Sequence, residues 1–83
     1  MGVCVEYRLK LNSERTLRSL LESLSPELRN LPSDCSGQMY LEKDNYLVIK
    51  LECVNAGKIR ALNNSFIGVL LMLLELAGEI KNV

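Results

Sequence analysis

Gln38-Met39-Tyr40-Leu41-Glu42-Lys43-Asp44-Asn45-Tyr46-Leu47-Val48-Ile49-Lys50-Leu51-Glu52-Cys53 is the stretch on which the fold turns. Two runs rich in aromatic and branched residues flank a polar Lys43-Asp44-Asn45 break, the pattern of a β-hairpin over Gln38–Glu42 and Tyr46–Cys53. Its register follows from which side chains must share a face. A two-residue turn at Asp44-Asn45 would set Leu41 opposite Val48 and put Leu47 and Ile49 on the other side of the sheet. A three-residue loop pairs Leu41 with Leu47 and keeps Met39, Leu41, Leu47, Ile49, Leu51 and Cys53 together. The three-residue loop is therefore expected, with Asn45 supplying the one left-handed residue it needs.

Upstream of the hairpin, Asn30 to Gly37, with Pro32, Ser33, Asp34 and Ser36, carries loop chemistry. Before it Leu17, Leu20, Leu21, Leu24 and Leu28 recur at helical spacing, with Arg15, Arg18 and Glu22 on the opposite side. Asn12 or Ser13 can cap this amphipathic helix. It is expected to stop or bend at Ser25-Pro26, because Pro26 disfavours helical geometry at Ser25. Val3, Val5, Tyr7, Leu9 and Leu11 alternate with Glu6, Arg8 and Lys10, which reads as a strand with one buried face.

Downstream, the chain is expected to turn helical after Asn55-Ala56-Gly57 and to stay so to about Ile80. Ile59, Leu62, Phe66, Val69, Leu73, Leu76 and Ile80 form one apolar seam, and Ile67, Leu70, Leu74 and Ala77 form a second beside it, widened by Leu71 and Met72. One seam suffices to pack the helix on the sheet. Four or five surplus apolar residues, each worth roughly 1.5 to 3 kcal/mol on burial, call for a partner surface. The expected architecture is α+β, in the order β-α-β-β-α: a three-stranded antiparallel sheet with two helices on one face. Which side of the second helix meets the sheet is left open by the spacing.

At 83 residues the chain has room for one domain. Lys and Arg number 10 and Asp and Glu number 10, so no basic excess points to an autonomous nucleic-acid binder. The three cysteines, Cys4, Cys35 and Cys53, follow no paired spacing and there is no histidine. Packed thiols in a reducing cytoplasm are expected, with no zinc site, no Cys-His nucleophile and no cofactor. The N-terminus lacks the pattern of a signal peptide and of a myristoylation signal. The apolar run Phe66 to Leu74 is shorter than the roughly 20 residues a bilayer span needs, so this helix is expected to be buried in protein. Glu22 with Glu27, and Glu75 with Glu79, read as solvated helix charges, not acid/base pairs, and no enzymatic activity is expected.

The element order is shared with KH modules of RNA-binding proteins, but Gly2, Gly37, Gly57, Gly68 and Gly78 cannot make the GxxG loop that those modules use. No GxxxxGK phosphate loop occurs either. A binding role for RNA would fall to Arg8, Lys10 and Lys50, with Tyr46, on the polar face of the sheet.

A strand ending in Leu11, then Ser13-Glu14-Arg15, Ser23-Leu24-Ser25-Pro26-Glu27-Leu28, Leu47-Val48-Ile49-Lys50-Leu51-Glu52 and Ile59-Arg60-Ala61-Leu62-Asn63-Asn64-Ser65-Phe66 together resemble the Pcc-type small subunit of the KEOPS complex. The most specific part is Arg60-Ala61 followed by Asn64-Ser65, similar to the family's "LRA..NS" signature. The resemblance covers nearly the whole chain and implies a single Pcc-like domain over residues 1–83. It implies a cytoplasmic, non-catalytic subunit that supports threonylcarbamoyl-adenosine modification of tRNA. Its helices would dock on helices of the Kae-type catalytic subunit. A second small subunit would complete a homodimer or a heterodimer of paralogues, and tRNA would be met through the complex.

On this reading Leu21, Ile67, Leu70, Leu71 and Leu74 are placed against the partner. The chain departs from the family after Phe66, where Gly68, Val69, Leu70 and Leu71 replace the basic and aromatic residues often found there. That loss of charge argues against direct tRNA contact from this helix and fits a divergent paralogue. Without a catalytic partner, the same surplus of apolar residues would make a self-assembling structural protein.

Overall fold

The computed structural model of the chain describes residues 2–79. In chain order it holds β1 (Val3–Lys10), α1 (Glu14–Arg29), β2 (Cys35–Glu42), β3 (Tyr46–Cys53) and α2 (Ala56–Leu76). The three strands form one sheet in the order β1-β3-β2, antiparallel throughout. This is the α+β, β-α-β-β-α arrangement read from the sequence.

The hairpin takes the register that places Leu41 opposite Leu47 and Met39 opposite Ile49. Its loop bends more sharply than expected: both Asp44 (φ 64°) and Asn45 (φ 62°) are left-handed. Asp and Asn are the L-residues that tolerate this conformation best. The loop is tied back to β1, since Asn45 O accepts a hydrogen bond from Leu11 N at 3.0 Å. Because β1 pairs Tyr7 with Ile49 and Val5 with Leu51, the odd-numbered residues of all three strands point to one side. Leu47, Ile49 and Leu51 on the middle strand are fully buried there.

β2 begins at Cys35, three residues before the expected Gln38. Gly37, read from sequence as loop chemistry, is a strand residue chosen for its lack of a side chain. A Cβ on it would lie 2.8 Å from Leu28 Cδ2, 3.1 Å from Leu31 Cδ1 and 3.2 Å from Leu51 Cδ2.

The early start of β2 also corrects the reading of the thiols. Cys35 and Cys53 stand directly opposite each other, with Cα atoms 4.1 Å apart, and are joined in a disulfide. A link across 18 residues of sequence stabilises a fold by roughly 3 kcal/mol through the unfolded chain. Cys4 remains a free, exposed thiol.

α1 opens on Ser13, whose Oγ accepts from Thr16 N at 3.2 Å. It does not stop at Ser25-Pro26 but runs through to Arg29. Ser25 donates its hydroxyl to Leu21 O at 2.6 Å. Leu24 before the proline and Leu28 after it both lie against the core, which holds the last turn in line.

α2 opens on Asn55, whose Oδ1 accepts from Lys58 N at 2.9 Å, and ends at Leu76, short of the expected Ile80. Ile80 lies outside the described residues. The stop is a Schellman arrangement in which Glu79 N reaches Leu74 O at 2.9 Å and Gly78 N reaches Glu75 O at 3.0 Å, with Gly78 at φ 79°. Glu79 then accepts from Asn12 N (3.1 Å) and Asn12 Nδ2 (2.7 Å), fastening the end of α2 to the start of α1.

By length and composition α2 could cross a membrane, contrary to the reading of its apolar run as too short. Its buried line packs instead on the sheet, with Phe66 stacked on Tyr7 at 5.9 Å between ring centroids.

Gly68 within α2 and Gly78 at its cap should respond in opposite senses. Gly78→Ala places a side chain at positive φ and is expected to cost about 1 kcal/mol. Gly68→Ala, mid-helix with open space around it, should gain roughly 0.5 to 1 kcal/mol. Urea denaturation followed by circular dichroism distinguishes the two.

Candidate functional site: the cleft between the helices

Neither apolar seam of α2 meets the sheet as a unit. The residues it buries are Ile59, Phe66, Leu70 and Leu74, a line that runs between the two seams. At roughly 100° per residue this line is the midline of the apolar arc, and a helix resting on a flat sheet settles on its midline. Leu62, Val69 and Leu73 on one flank and Ile67 on the other are half-buried.

This corrects the sequence-based placement of the partner-facing residues. Leu70 (1% exposed) and Leu74 (6%) belong to the chain's own core and are closed to a partner. Leu21 and Ile67 are half-buried and pack against that core. Of the five, only Leu71, at 46%, is exposed. The more exposed apolar residues of α2, Leu76 (77%) and Met72 (54%), belong to the apolar arc but were not among those five. The signal is present in the apolar arc of α2, whose spacing leaves open which side meets the sheet.

Leu62, Leu73 and Leu76 line a cleft between α2 and α1. At one end Leu73, Leu76 and Ala77 face Ser19, Leu20 and Ser23 across a hollow of about 250 Å³. At the other, a hollow of about 380 Å³ is bounded by Glu27 and Asn30 of α1, Leu31, Pro32 and Cys35, and Lys58, Ala61, Leu62 and Ser65 of α2. The small residues Ala61, Ser65, Ser19 and Ser23 keep the cleft open. Its floor is leucine.

Arg60, Ala61, Asn64 and Ser65 are all exposed. They form two pairs four residues apart: Ala61 and Ser65 line the cleft, while Arg60 and Asn64 share the side of α2 that carries Leu71. Asn63, between them, is turned inward, and its Oδ1 is buried without a hydrogen-bond partner, as is Tyr7 Oη.

The opposite face of the sheet bears the three cations considered for RNA, each already engaged. Arg8 pairs with Glu42 and lies 3.8 Å from Glu6. Lys50 lies 3.7 Å from Glu6 and over the ring of Tyr40 at 5.7 Å, and Lys10 lies over Tyr46 at 5.8 Å. The nearby Tyr40 side chain first, and then the Glu6 carboxylate, hold the Lys50 ammonium above its ordinary pKa. A face on which acids answer the bases offers little net attraction to phosphate.

Cys4, on the same face, donates its thiol to Glu52 at 3.4 Å. That bond, with some desolvation and the carboxylate's charge, raises the thiol's pKa and keeps it protonated near neutrality.

With this geometry in place, comparison with known families is decisive. The family model described as "Transcription factor Pcc1" matches residues 4–77. The chain belongs to the Pcc1 family. That is the family of a non-catalytic accessory subunit of the KEOPS complex, and it agrees with the resemblance read from the sequence. No curated protein and no solved structure matches the chain.

In the Pcc1 domain described here, removing the carboxylate beside Cys4 should unmask its thiol. Glu52→Gln is expected to lower the Cys4 pKa and speed its alkylation at neutral pH, the rate then rising at a lower pH than in the parent chain. Iodoacetamide labelling across a pH series, with Cys35 and Cys53 left oxidised, reads the shift.

Proposed function

We propose that the chain is a docking subunit of KEOPS in the cytoplasm, supporting threonylcarbamoyl-adenosine modification of tRNA without taking part in the chemistry. Its α1–α2 cleft receives helices of the Kae-type catalytic subunit, which complete a helical bundle over the sheet. A second small subunit, identical or a paralogue, joins the assembly, and tRNA is met through the complex.

The observation that carries this reading is the leucine-floored cleft, flanked by Leu76 and Met72 left in water at the end of a helix whose midline is already satisfied. An apolar strip of this kind, shallow, elongated and bounded by helices, accommodates the ridge of another helix better than a compact ligand. The compensated charges of the opposite sheet face support indirect rather than direct tRNA contact.

Co-expression with a Kae-type catalytic subunit tests the reading. The parent chain should retain that subunit through size-exclusion chromatography, whereas Leu76→Glu is expected to weaken the complex at least about tenfold while leaving the circular dichroism spectrum unchanged. Failure of the parent chain to retain the subunit, or full retention by Leu76→Glu and Leu73→Glu alike, would sink it.

A further inference from the structure

Cys35 and Cys53 join the first residue of β2 to the last of β3, at the end of the molecule where α2 takes root. Three other contacts converge there. Pro32 O accepts from Cys35 N at 2.9 Å, Asp34 O accepts from Val54 N at 3.1 Å, and the Asp34 carboxylate pairs with Lys58 Nζ at 2.9 Å in the first turn of α2. The disulfide thus cross-links β2 to β3 where the strap 31–34 enters the sheet and the chain leaves it for α2.

The two halves of the bond are not equivalent. Both cysteines border a hollow of about 480 Å³ beside Asp34 and Val54, but Cys53 is 2% exposed and belongs to the core, while Cys35 is half-buried and also lines the 380 Å³ hollow at the strap end of the cleft. Cys4 cannot resolve the bond from within, because Val3 is the residue that pairs with Cys53 and Cys4 points to the other side of the sheet.

We propose that Cys35 is a site of reversible thiol–disulfide exchange, entered through the hollow by a small external thiol or dithiol, with buried Cys53 as the leaving group. The incoming thiolate bonds to Cys35 Sγ, the Sγ–Sγ bond breaks, and its electron pair departs on Cys53 Sγ, which takes a proton from water. A second thiolate, the other arm when a dithiol reacts, displaces Cys35 and carries away the oxidation as its own disulfide. Two external thiols are oxidised and one protein disulfide is reduced. In a reducing compartment, where exposed disulfides are ordinarily transient, one accessible sulfur makes the bond adjustable. Once it opens, two backbone hydrogen bonds and one surface ion pair hold the strap, so the wall of the hollow beside Ala61 and Ser65 loosens.

The test uses the full-length chain carrying Cys4→Ser, incubated natively with reduced glutathione, quenched in acid and mapped by peptide mass spectrometry. The mixed disulfide is expected on Cys35. In parallel, full reduction should speed amide exchange at Cys35 and Val54 by about tenfold or more while the amides around Leu70 stay protected. Adduct on Cys53, or no adduct until the protein is unfolded with urea, overturns the proposal. So does unchanged exchange at both amides after reduction.

Discussion

The inward face of β3 is the support on which the molecule rests. Leu47, Ile49 and Leu51 are each fully removed from water, flanked by β1 and β2 and covered by both helices. A middle strand placed between two partners is the one element that can be closed on every side. Burying such side chains is worth roughly 1.5 to 3 kcal/mol each. A sheet covered on one face only, eight residues along each strand, needs two helices to cover that line.

That requirement shapes the cleft. α1 brings Leu17, Leu20 and Leu24 over β2, and α2 brings Ile59, Phe66, Leu70 and Leu74 over β3 and β1, so the two helices lie side by side on one face of the sheet. They cannot also seal against each other along their outer edges, because Ser19, Ser23, Ala61 and Ser65 stand where large apolar side chains would be needed. Leu73 and Leu76 are left lining the gap. Both ends of α2 are fastened, by the disulfide and the Asp34–Lys58 pair at its start and by Glu79 on Asn12 at its finish. The helix pair is accordingly bounded by contacts at both ends of α2, with a hollow near each.

Membership of the Pcc1 family accords with the apolar surface left on α2 at Leu71, Met72 and Leu76. On the outer sheet face charged groups stand in mutually compensating pairs, and the most exposed large apolar residue, Leu76, lies on α2.

Strand and helix order, the three-residue hairpin loop and the shared face of Met39, Leu41, Leu47, Ile49 and Leu51 were legible from residue spacing alone, because alternation and loop length admit one register that keeps apolar residues together, although Leu41, near the hairpin end, is left 44% exposed. That register, carried back along both strands, brings Cys35 opposite Cys53. The link was missed because Ser36-Gly37 reads as a turn until Leu28 and Leu31 are seen to need the space above Gly37. The continuation of α1 through Pro26 likewise depends on packing at Leu24 and Leu28. On α2 the periodicity established a broad apolar arc but not its orientation, since a helix apolar over most of its circumference can rest on a sheet in several rotations of similar local energy. Only the tertiary structure selected the midline through Phe66, Leu70 and Leu74, because fitting against Tyr7 and the β3 leucines is a property of two surfaces in contact, and one strand of sequence contains only one of them.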